Sequence, residues 1–357
     1  MPAFETCCKD TEISSGQGPG ASTLTLLAMR TALRMGDPAA AAMIGEAVAP
    51  RAVVREQADF NWMLGSAYFL TRRYADAAQP LRVLFRSRGA TPSQRAAAAY
   101  GLCGAYSKTG NGEQQLRYAL WLSGGNTQTE WAEPGRIPDL SIYWAPSGWD
   151  LRLLLDNELP IETLQRFIGA YPTASGIRAV KYSIAVRLSR ENRYEEAAQL
   201  YRSINANRRA ARMERLGSLY EAANRPGMST QEKLQARYEL AAFIAANPDG
   251  IYFNDAIWHG LQRYALQAAT DTRLTRNERQ QLIDGERALK DNQEERWRAY
   301  LILRDCVREA GPSDLGRKAA TLALQCLRGI RTDRFGREQE IRQADVELSQ
   351  WLRMSSK

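Results

Sequence analysis

Residues capable of nucleophilic, acid–base or metal chemistry are few and scattered in this chain. The single histidine, His259, follows Trp258 in an apolar stretch, and neither a histidine ligand cluster nor a Cys–His pair is evident around it. Cys7 and Cys8 lie in a polar N-terminal stretch. The other cysteines fall in apolar patterns typical of small core residues: Cys103, Cys306 and Cys326. We therefore expect no catalytic residue, no metal site and no cofactor.

Motifs for phosphate binding and acyl transfer are also weak. The glycines of 16–20 precede a predicted helix, but no strand comes before them and no Lys-Ser/Thr pair follows. A G-x-S-x-G nucleophile elbow does not occur. Acidic pairs such as Glu195-Glu196 lie in charged helical stretches, whereas acid–base catalysis needs carboxylates in a cleft with shifted pKa values. A non-enzyme is the preferred interpretation, and an enzyme on a helical toroid is kept as an alternative.

The positive charge of the chain has two possible meanings. The net charge is +8, and 41 of the 48 basic residues are Arg, which is typical of a GC-rich bacterial genome. Basic residues cluster twice: at Arg208, Arg209, Arg212 and Arg215, and at Arg328, Arg331, Arg334, Arg337 and Arg342. Acidic residues interrupt both clusters, as on a solvated helix face with local ion pairs. Helical repeats that read RNA use recurring polar side chains, which are not evident, so nucleic-acid binding is the less favoured alternative.

Composition and local signals predict an all-α chain. Ala is abundant, Thr, Val and Ile are sparse, and helix caps recur along the sequence. No stretch is long and apolar enough to span a membrane. The N-terminus lacks the basic and apolar regions of a signal peptide. We expect a cytoplasmic protein, with an exported or periplasmic protein that has lost its signal peptide as the alternative.

Three stretches share a pattern of small and large apolar residues. The first copy contains Leu64, Gly65, Tyr68, Tyr74, Ala77 and Leu81. The second contains Leu102, Cys103, Tyr106, Gly110 and Leu122, with Gln115 in place of the usual Ala. The third contains Ile184, Ala185, Leu188, Tyr194, Ala197 and Tyr201. This spacing resembles the tetratricopeptide repeat, in which small residues allow two antiparallel helices to touch. The resemblance lies mainly over residues 58–129 and 178–211.

The resemblance implies an α-solenoid of antiparallel helix pairs, a TPR-like superhelix with a less regular C-terminal region. We expect a flexible tail at 1–21, repeats at 22–228 interrupted by an irregular Trp-rich insertion at 123–149, and helical hairpins at 229–357 that continue the solenoid. Within the last region the pattern predicts an aromatic-rich helix from Ile251 to Ala269. Three more helices are predicted at about 294–309, 313–330 and 336–352.

Family members place ligand-contacting residues on the first helix of each pair, three places before the first small residue and one place after it. The first position holds Trp62, Tyr100 and Tyr182, and the second holds Ser66, Gly104 and Val186. Members that clamp a C-terminal carboxylate have Lys and Asn there, whereas an aromatic row suits apolar or proline-containing segments. The same aromatics could instead pack in the core between repeats.

These positions lead to a hypothesis about function. We expect a non-catalytic scaffold or adaptor that binds a protein or peptide partner on its concave face. The Trp-rich insertion and Phe69, on the same helix as Trp62, add further aromatic candidates. The predicted partner-binding residues are Trp62, Phe69, Tyr100, Tyr182, Trp131 and Trp144. The sequence identifies neither the partner nor a small-molecule ligand.

Overall fold

The computed structural model describes residues 19–49, 58–124, 151–258, 276, 291–331 and 337–355. No residue in these ranges forms a β-strand, so the predicted all-helical fold is confirmed for them. The chain divides into two units, one of residues 1–154 and 169–177 and the other of residues 155–168 and 178–357. None of the described helices is both long and apolar enough to cross a membrane.

Unit 1 is a series of helix pairs. Its helices are α1 (Pro19–Arg34), α2 (Pro38–Val48), α3 (Ala58–Leu70), α4 (Tyr74–Arg86), α5 (Pro92–Lys108) and α6 (Gly112–Leu122). Consecutive helices pack against each other, and the first helices of the pairs, α1, α3 and α5, also contact their neighbours side by side. Asp59 on α3 links this row, because it lies 3.8 Å from Arg30 on α1 and accepts a 2.9 Å hydrogen bond from Gln94 on α5. Helix α1 begins at Pro19, inside the predicted tail, and Pro is favoured in a first helical turn.

The small residues of the repeat pattern lie where two helices touch. A Cβ atom added to Gly65 would lie 2.7 Å from the Leu81 side chain, so α3 and α4 approach too closely for a larger residue. In the next pair Cys103 occupies the same place, fully buried, with its sulfur 3.6 Å from the Gln115 carbonyl. A buried Gly at a helix crossing costs helix propensity of about 1 kcal/mol. The close packing of the two helices compensates for it.

One turn geometry recurs between the helices of a pair. The chain adopts a left-handed conformation at Gly36, Arg72, Gly110 and Asn192, with φ of 77°, 62°, 72° and 62°. The following amide then donates to a carbonyl five residues earlier, which satisfies an unpaired acceptor at the helix end. These bonds join Asp37 to Ala32, Arg73 to Tyr68, Asn111 to Tyr106 and Arg193 to Leu188, at 2.8–2.9 Å. The first two turn residues are 36 residues apart, and the second and third are 38 apart. Equivalent residues of the pairs can therefore be aligned by counting from the turn residue.

Unit 2 continues with helices packed in chain order. They are α7 (Ile161–Ala170, of which 161–168 belong to this unit), α8 (Ile177–Arg190), α9 (Tyr194–Ser203), α10 (Asn207–Asn224), α11 (Thr230–Ala245), α12 (Glu295–Ala310), α13 (Asp314–Gly329) and α14 (Glu338–Ser355). From α9 to α14, each of these helices packs on the next. The last three agree with the three helices predicted near the C-terminus. Reciprocal capping between Ser229 and Glu232 starts α11, as their spacing predicts.

The predicted helix from Ile251 to Ala269 is wrong at its start. Residues 251–254 are not helical, and a short helix begins only at Asp255 and runs to Trp258. The residues after Trp258 in that prediction, including His259, lie outside the described residues. The apolar periodicity of this stretch is real, but other parts of unit 2 bind the backbone of its first residues.

Candidate functional site

The face of α8 holds a bent segment of the same chain, residues 249–255, which leads from a turn into the short helix that begins at Asp255. The Arg190 Nε donates a 2.8 Å hydrogen bond to the Tyr252 carbonyl. The Ser189 hydroxyl, which is buried, lies 3.2 Å from the Ile251 carbonyl and shares its single hydrogen with carbonyls of its own helix. One face of α8 therefore binds two successive carbonyls of a non-helical segment.

Two arginines of α10 bind the beginning of this segment. Arg209 donates to the Gly250 carbonyl at 2.9 Å and to the Asp249 carbonyl at 3.2 Å. Arg212 donates to the same Gly250 carbonyl at 2.9 Å. A Cβ atom at Gly250 would lie 2.6 Å from the Arg212 guanidinium, so a larger residue would displace this side chain from the carbonyl it binds.

A buried carboxylate binds the other side of the segment backbone. Glu295, at the start of α12, is fully buried, and its Oε1 accepts hydrogen bonds from three consecutive amides. The distances are 3.3 Å from Ile251, 2.9 Å from Tyr252 and 3.2 Å from Phe253. Successive amides that converge on one oxygen form an anion-binding nest. The carbonyls of Ile251 and Tyr252, which a helix starting at residue 251 would use as acceptors, are instead bound by Ser189 and Arg190, in keeping with the late start of the helix.

A second buried carboxylate, Asp156, joins four parts of unit 2. Arg190 lies 2.8 Å from it as an ion pair without aligned hydrogen-bond geometry. The side-chain amides of Asn254 and Gln293 donate to its two oxygens at 3.3 Å and 2.7 Å. A buried charge of this kind is stable only when it is paired and hydrogen-bonded. Asp156 thus fixes the end of the segment against α8 and against the residues before α12.

The side chains in the middle of the segment are buried with its backbone. Ile251, Tyr252 and Phe253 are all at most 2% exposed. The Tyr252 hydroxyl lies 3.2 Å from that of Tyr194, and the Arg298 guanidinium stacks 3.8 Å from the centre of the Tyr252 ring. Burial raises the pKa of both tyrosine hydroxyls, so both stay neutral at physiological pH. The segment is therefore a permanent part of the core of unit 2.

Tyr182, a predicted partner-binding residue, contacts this internal segment. Its hydroxyl donates to the Asp255 carboxylate, and its ring packs edge-on against Tyr201 at 5.2 Å. Arg209 stacks over the ring and also pairs with Asp255 at 2.8 Å. Burial is the main cause that raises the pKa of the Tyr182 hydroxyl. At this repeat position α8 thus contacts the chain itself.

The other predicted aromatics lie on the first helices of unit 1. Trp62, Phe69 and Tyr100 are each half-buried. Trp62 packs in part on the cluster that α1, α2 and α3 share. Leu70, beside Phe69, is 37% exposed. Trp131 and Trp144 lie outside the described residues, so their predicted role stays a prediction.

The second ligand position predicted from the family resemblance does not face solvent. Ser66 and Val186 are fully buried, and Gly104 is buried as well. The position one place after the small residue therefore turns toward the adjacent helices. Only the first position, with Trp62 and Tyr100, is partly accessible in unit 1.

Many arginines in the two basic clusters bind within the chain. Arg209 and Arg212 hold the backbone of the internal segment. In the second cluster Arg328 pairs with Asp345 at 2.7 Å and Arg342 pairs with Glu338 at 2.9 Å. Guanidinium groups engaged in this way are less available to phosphates, so the described geometry adds no support to the nucleic-acid alternative.

An open cleft of about 1140 Å³ lies between α11, the end of α12 and the start of α13. Its four acidic residues have partners in the chain: Glu232 caps α11, Glu239 accepts a 2.9 Å hydrogen bond from Gln235, Glu309 pairs with Arg237 at 2.9 Å, and Asp314 pairs with Arg317. The buried carboxylates Asp156 and Glu295 are not among the residues that line it. No cluster of His, Cys, Asp and Glu suited to a metal ion occurs in the part of the chain that the structure describes.

Sequence reasoning found the aromatic positions but missed the internal segment. Asp156, Glu295 and Arg190 resemble ordinary charged helix residues, because sequence alone does not distinguish a buried charge from a solvated one. The turn signal at 247–250 marks where the preceding helix ends, but it does not indicate a non-helical segment after that turn. Comparison of the chain with protein-family models, with curated proteins and with solved structures finds no match.

Proposed function

We propose that this chain is a non-catalytic scaffold that binds an extended segment of a protein partner on the face formed by α3 and α5. The proposal includes the fold: the paired helices and their common turn are those of a TPR-like solenoid. In such a solenoid the first helices of the pairs line the surface that contacts ligands.

The observation that carries the proposal is the segment bound by α8. Counted back from the left-handed turn residue, Tyr182 stands ten places before Asn192. Trp62 and Tyr100 stand ten places before Arg72 and Gly110. A helix face of this chain thus already binds a non-helical segment at the repeat position where unit 1 presents half-buried aromatics.

The chemistry of the α3 face favours an apolar segment. Trp62, Phe69 and Leu70 offer rigid or branched apolar surface, and aromatic side chains lose little conformational entropy on binding. Trp and Tyr are enriched among residues that dominate binding energy. We expect the partner to place aliphatic, aromatic or proline side chains against α3 and its backbone along α5.

The test uses an array of extended ten-residue peptides, about half of them rich in apolar and aromatic residues and the rest polar. We expect wild-type protein to retain a subset of the apolar peptides. Trp62→Ala and Tyr100→Ala should each weaken the best of them about thirtyfold, since truncation of a central interface aromatic costs about 2 kcal/mol. Affinities would be measured by titration calorimetry.

Thermal melts of the same variants separate binding from folding. If the two aromatics form a binding face, their substitution should change the melting temperature little. If they are core residues, each substitution should cost about 3–5 kcal/mol of unfolding free energy, and binding would be lost through unfolding. Arg82→Ala, at an exposed position on α4, is the control and should alter neither. Equal binding by wild type and both variants would refute the proposal.

A further inference from the structure

We infer that α5 binds the main chain of its partner segment through Ser107 and Lys108, with Tyr100 beside it, and that the partner runs antiparallel to the helix. This inference rests on the proposed function and deepens it. The partner is an extended peptide that offers two successive carbonyls, an aromatic or branched side chain, and an acidic residue three places after the second carbonyl.

The basis is a match between α5 and α8 at three repeat positions. Ten, three and two places before the turn residue, α8 has Tyr182, Ser189 and Arg190. At the same places α5 has Tyr100, Ser107 and Lys108, which are the same residue types apart from Lys for Arg. Both helices thus carry an aromatic hydroxyl, an aliphatic hydroxyl and a cation.

Helix α3 shows that this match is not a general property of the repeat. At the same three places it has Trp62, Phe69 and Leu70, which provide no donor for a pair of carbonyls. The two helices therefore have different roles in the proposed binding face. α3 supplies apolar surface, and α5 supplies the hydrogen-bond donors.

The direction of the partner follows from the contacts on α8. There the C-terminal residues Ser189 and Arg190 contact Ile251 and Tyr252, whereas Tyr182, seven residues earlier, bonds to Asp255. Between these contacts, Ser183 accepts a 3.0 Å hydrogen bond from Asn254, so the contacts move toward the start of α8 as the segment advances. The bound segment therefore runs opposite to the helix, and the same spacing on α5 fits the same segment length.

The serine and the cation are more accessible to a partner on α5 than on α8. Ser189 is buried and Arg190 is nearly so beneath the internal segment, whereas Lys108 is exposed and Ser107 is half-buried. The Lys108 ammonium has three donors and no acceptor. It can therefore donate to a partner carbonyl, whereas the acidic residue of the partner would lie against Tyr100, as Asp255 lies against Tyr182.

The probe is a synthetic peptide with the sequence of residues 249–255, Asp-Gly-Ile-Tyr-Phe-Asn-Asp, with blocked ends and a fluorescent label. Fluorescence anisotropy would measure its binding to the full chain up to about 1 mM. We expect binding to wild type, at least tenfold weaker binding to Ser107→Ala/Lys108→Ala, and near wild-type binding to Lys108→Arg. The reversed peptide, with the same composition, should bind more weakly.

Two control variants locate the site. Ser93→Ala, at an exposed position near the start of α5, should bind the peptide as wild type does. Ser189→Ala should as well, because the internal segment already covers α8. Binding that depends on Ser189 and not on Ser107 and Lys108 would assign the peptide to α8 and overturn the inference.

Other outcomes separate this inference from the proposed function. If the double variant binds the peptide as wild type does, or wild type does not bind it, the donor role of α5 is wrong. The proposed function would still stand if Trp62→Ala and Tyr100→Ala weaken binding of apolar peptides from the array. If the double variant does not weaken peptide binding and the two aromatic variants do not weaken binding of the apolar peptides, both the inference and the proposed function are wrong.

Discussion

The faces of α8 and α5 carry similar residues in the same register but have different surroundings. The α8 face is buried beneath residues 249–255, whose backbone is bound by Glu295, Arg190 and Arg209. On α5, Lys108 is exposed and Tyr100 is half-buried. The difference lies in the two buried carboxylates of unit 2: Glu295 accepts from the backbone amides of the segment, and Asp156 accepts from its Asn254 side chain.

This comparison shows what converts a binding face into part of a core. A guanidinium can only donate, and the Ser189 hydroxyl points its single hydrogen at carbonyls, so the backbone amides of the segment still need acceptors. Glu295 accepts three of those amides, and Asp156 fixes the arginine and the asparagine that end the segment. The backbone amides of a partner bound to α5 must therefore donate hydrogen bonds to water or to acceptors within the partner itself.

The largest expected effect comes from breaking the buried centre of unit 2. Asp156→Ala leaves Arg190 buried without its charge partner, which typically costs about 3–5 kcal/mol of unfolding free energy. Urea denaturation followed by circular dichroism would measure the loss. Asp345→Ala is the control, because its partner Arg328 is largely exposed and such pairs contribute about 0.2–1 kcal/mol. Equal losses for the two variants would mean that Asp156 does not hold the segment.

A smaller difference is expected between two serines at the same repeat position. Ser189→Ala should lower the unfolding free energy by about 1 kcal/mol, because it removes a buried donor to the Ile251 carbonyl. Ser107→Ala should stay within about 0.5 kcal/mol of wild type, as for most surface substitutions. Thermal melts would measure both. A marked loss for Ser107→Ala would show that α5, like α8, uses its serine to hold its own fold.

The smallest expected change in unfolding free energy comes from the left-handed turn residues between paired helices. Arg72 is exposed and left-handed, a conformation that costs about 1–2 kcal/mol for a residue other than glycine. Arg72→Gly should therefore raise the unfolding free energy by about 0.5–1 kcal/mol after the entropy of the unfolded chain is counted. Thermal denaturation would detect this as a small rise in melting temperature.

Asn192→Gly is the matched variant in unit 2 and should bring no gain. Asn tolerates the left-handed region, and its side chain accepts a 2.8 Å hydrogen bond from the Tyr194 hydroxyl, which glycine would lose. If both variants stabilise the protein equally, the two turns do not differ in the way their contacts indicate. If neither changes stability, the left-handed turn carries no strain.

The sequence by itself determined the helical elements and the contacts between the helices of a pair. Gly65 against Leu81 and Cys103 against Gln115 follow from local spacing, since residues on facing turns of adjacent helices meet in a fixed register. Reciprocal capping likewise depends only on residues three places apart, as at Ser229 and Glu232. Such short-range rules can be applied to a single sequence.

Tertiary structure alone decided which charges are buried and what the face of α8 binds. Asp156, Asn254 and Gln293 are separated by up to 137 residues, and no local pattern links them. The apolar period from Ile251 onward predicts a helix, but hydrogen bonds to Glu295 and from Arg190 satisfy the backbone of residues 251–253 more fully than a first helical turn could. A backbone amide bonds to the acceptor that lies nearest in space, and that acceptor can be far away in sequence. The internal segment therefore could not be predicted from the sequence alone.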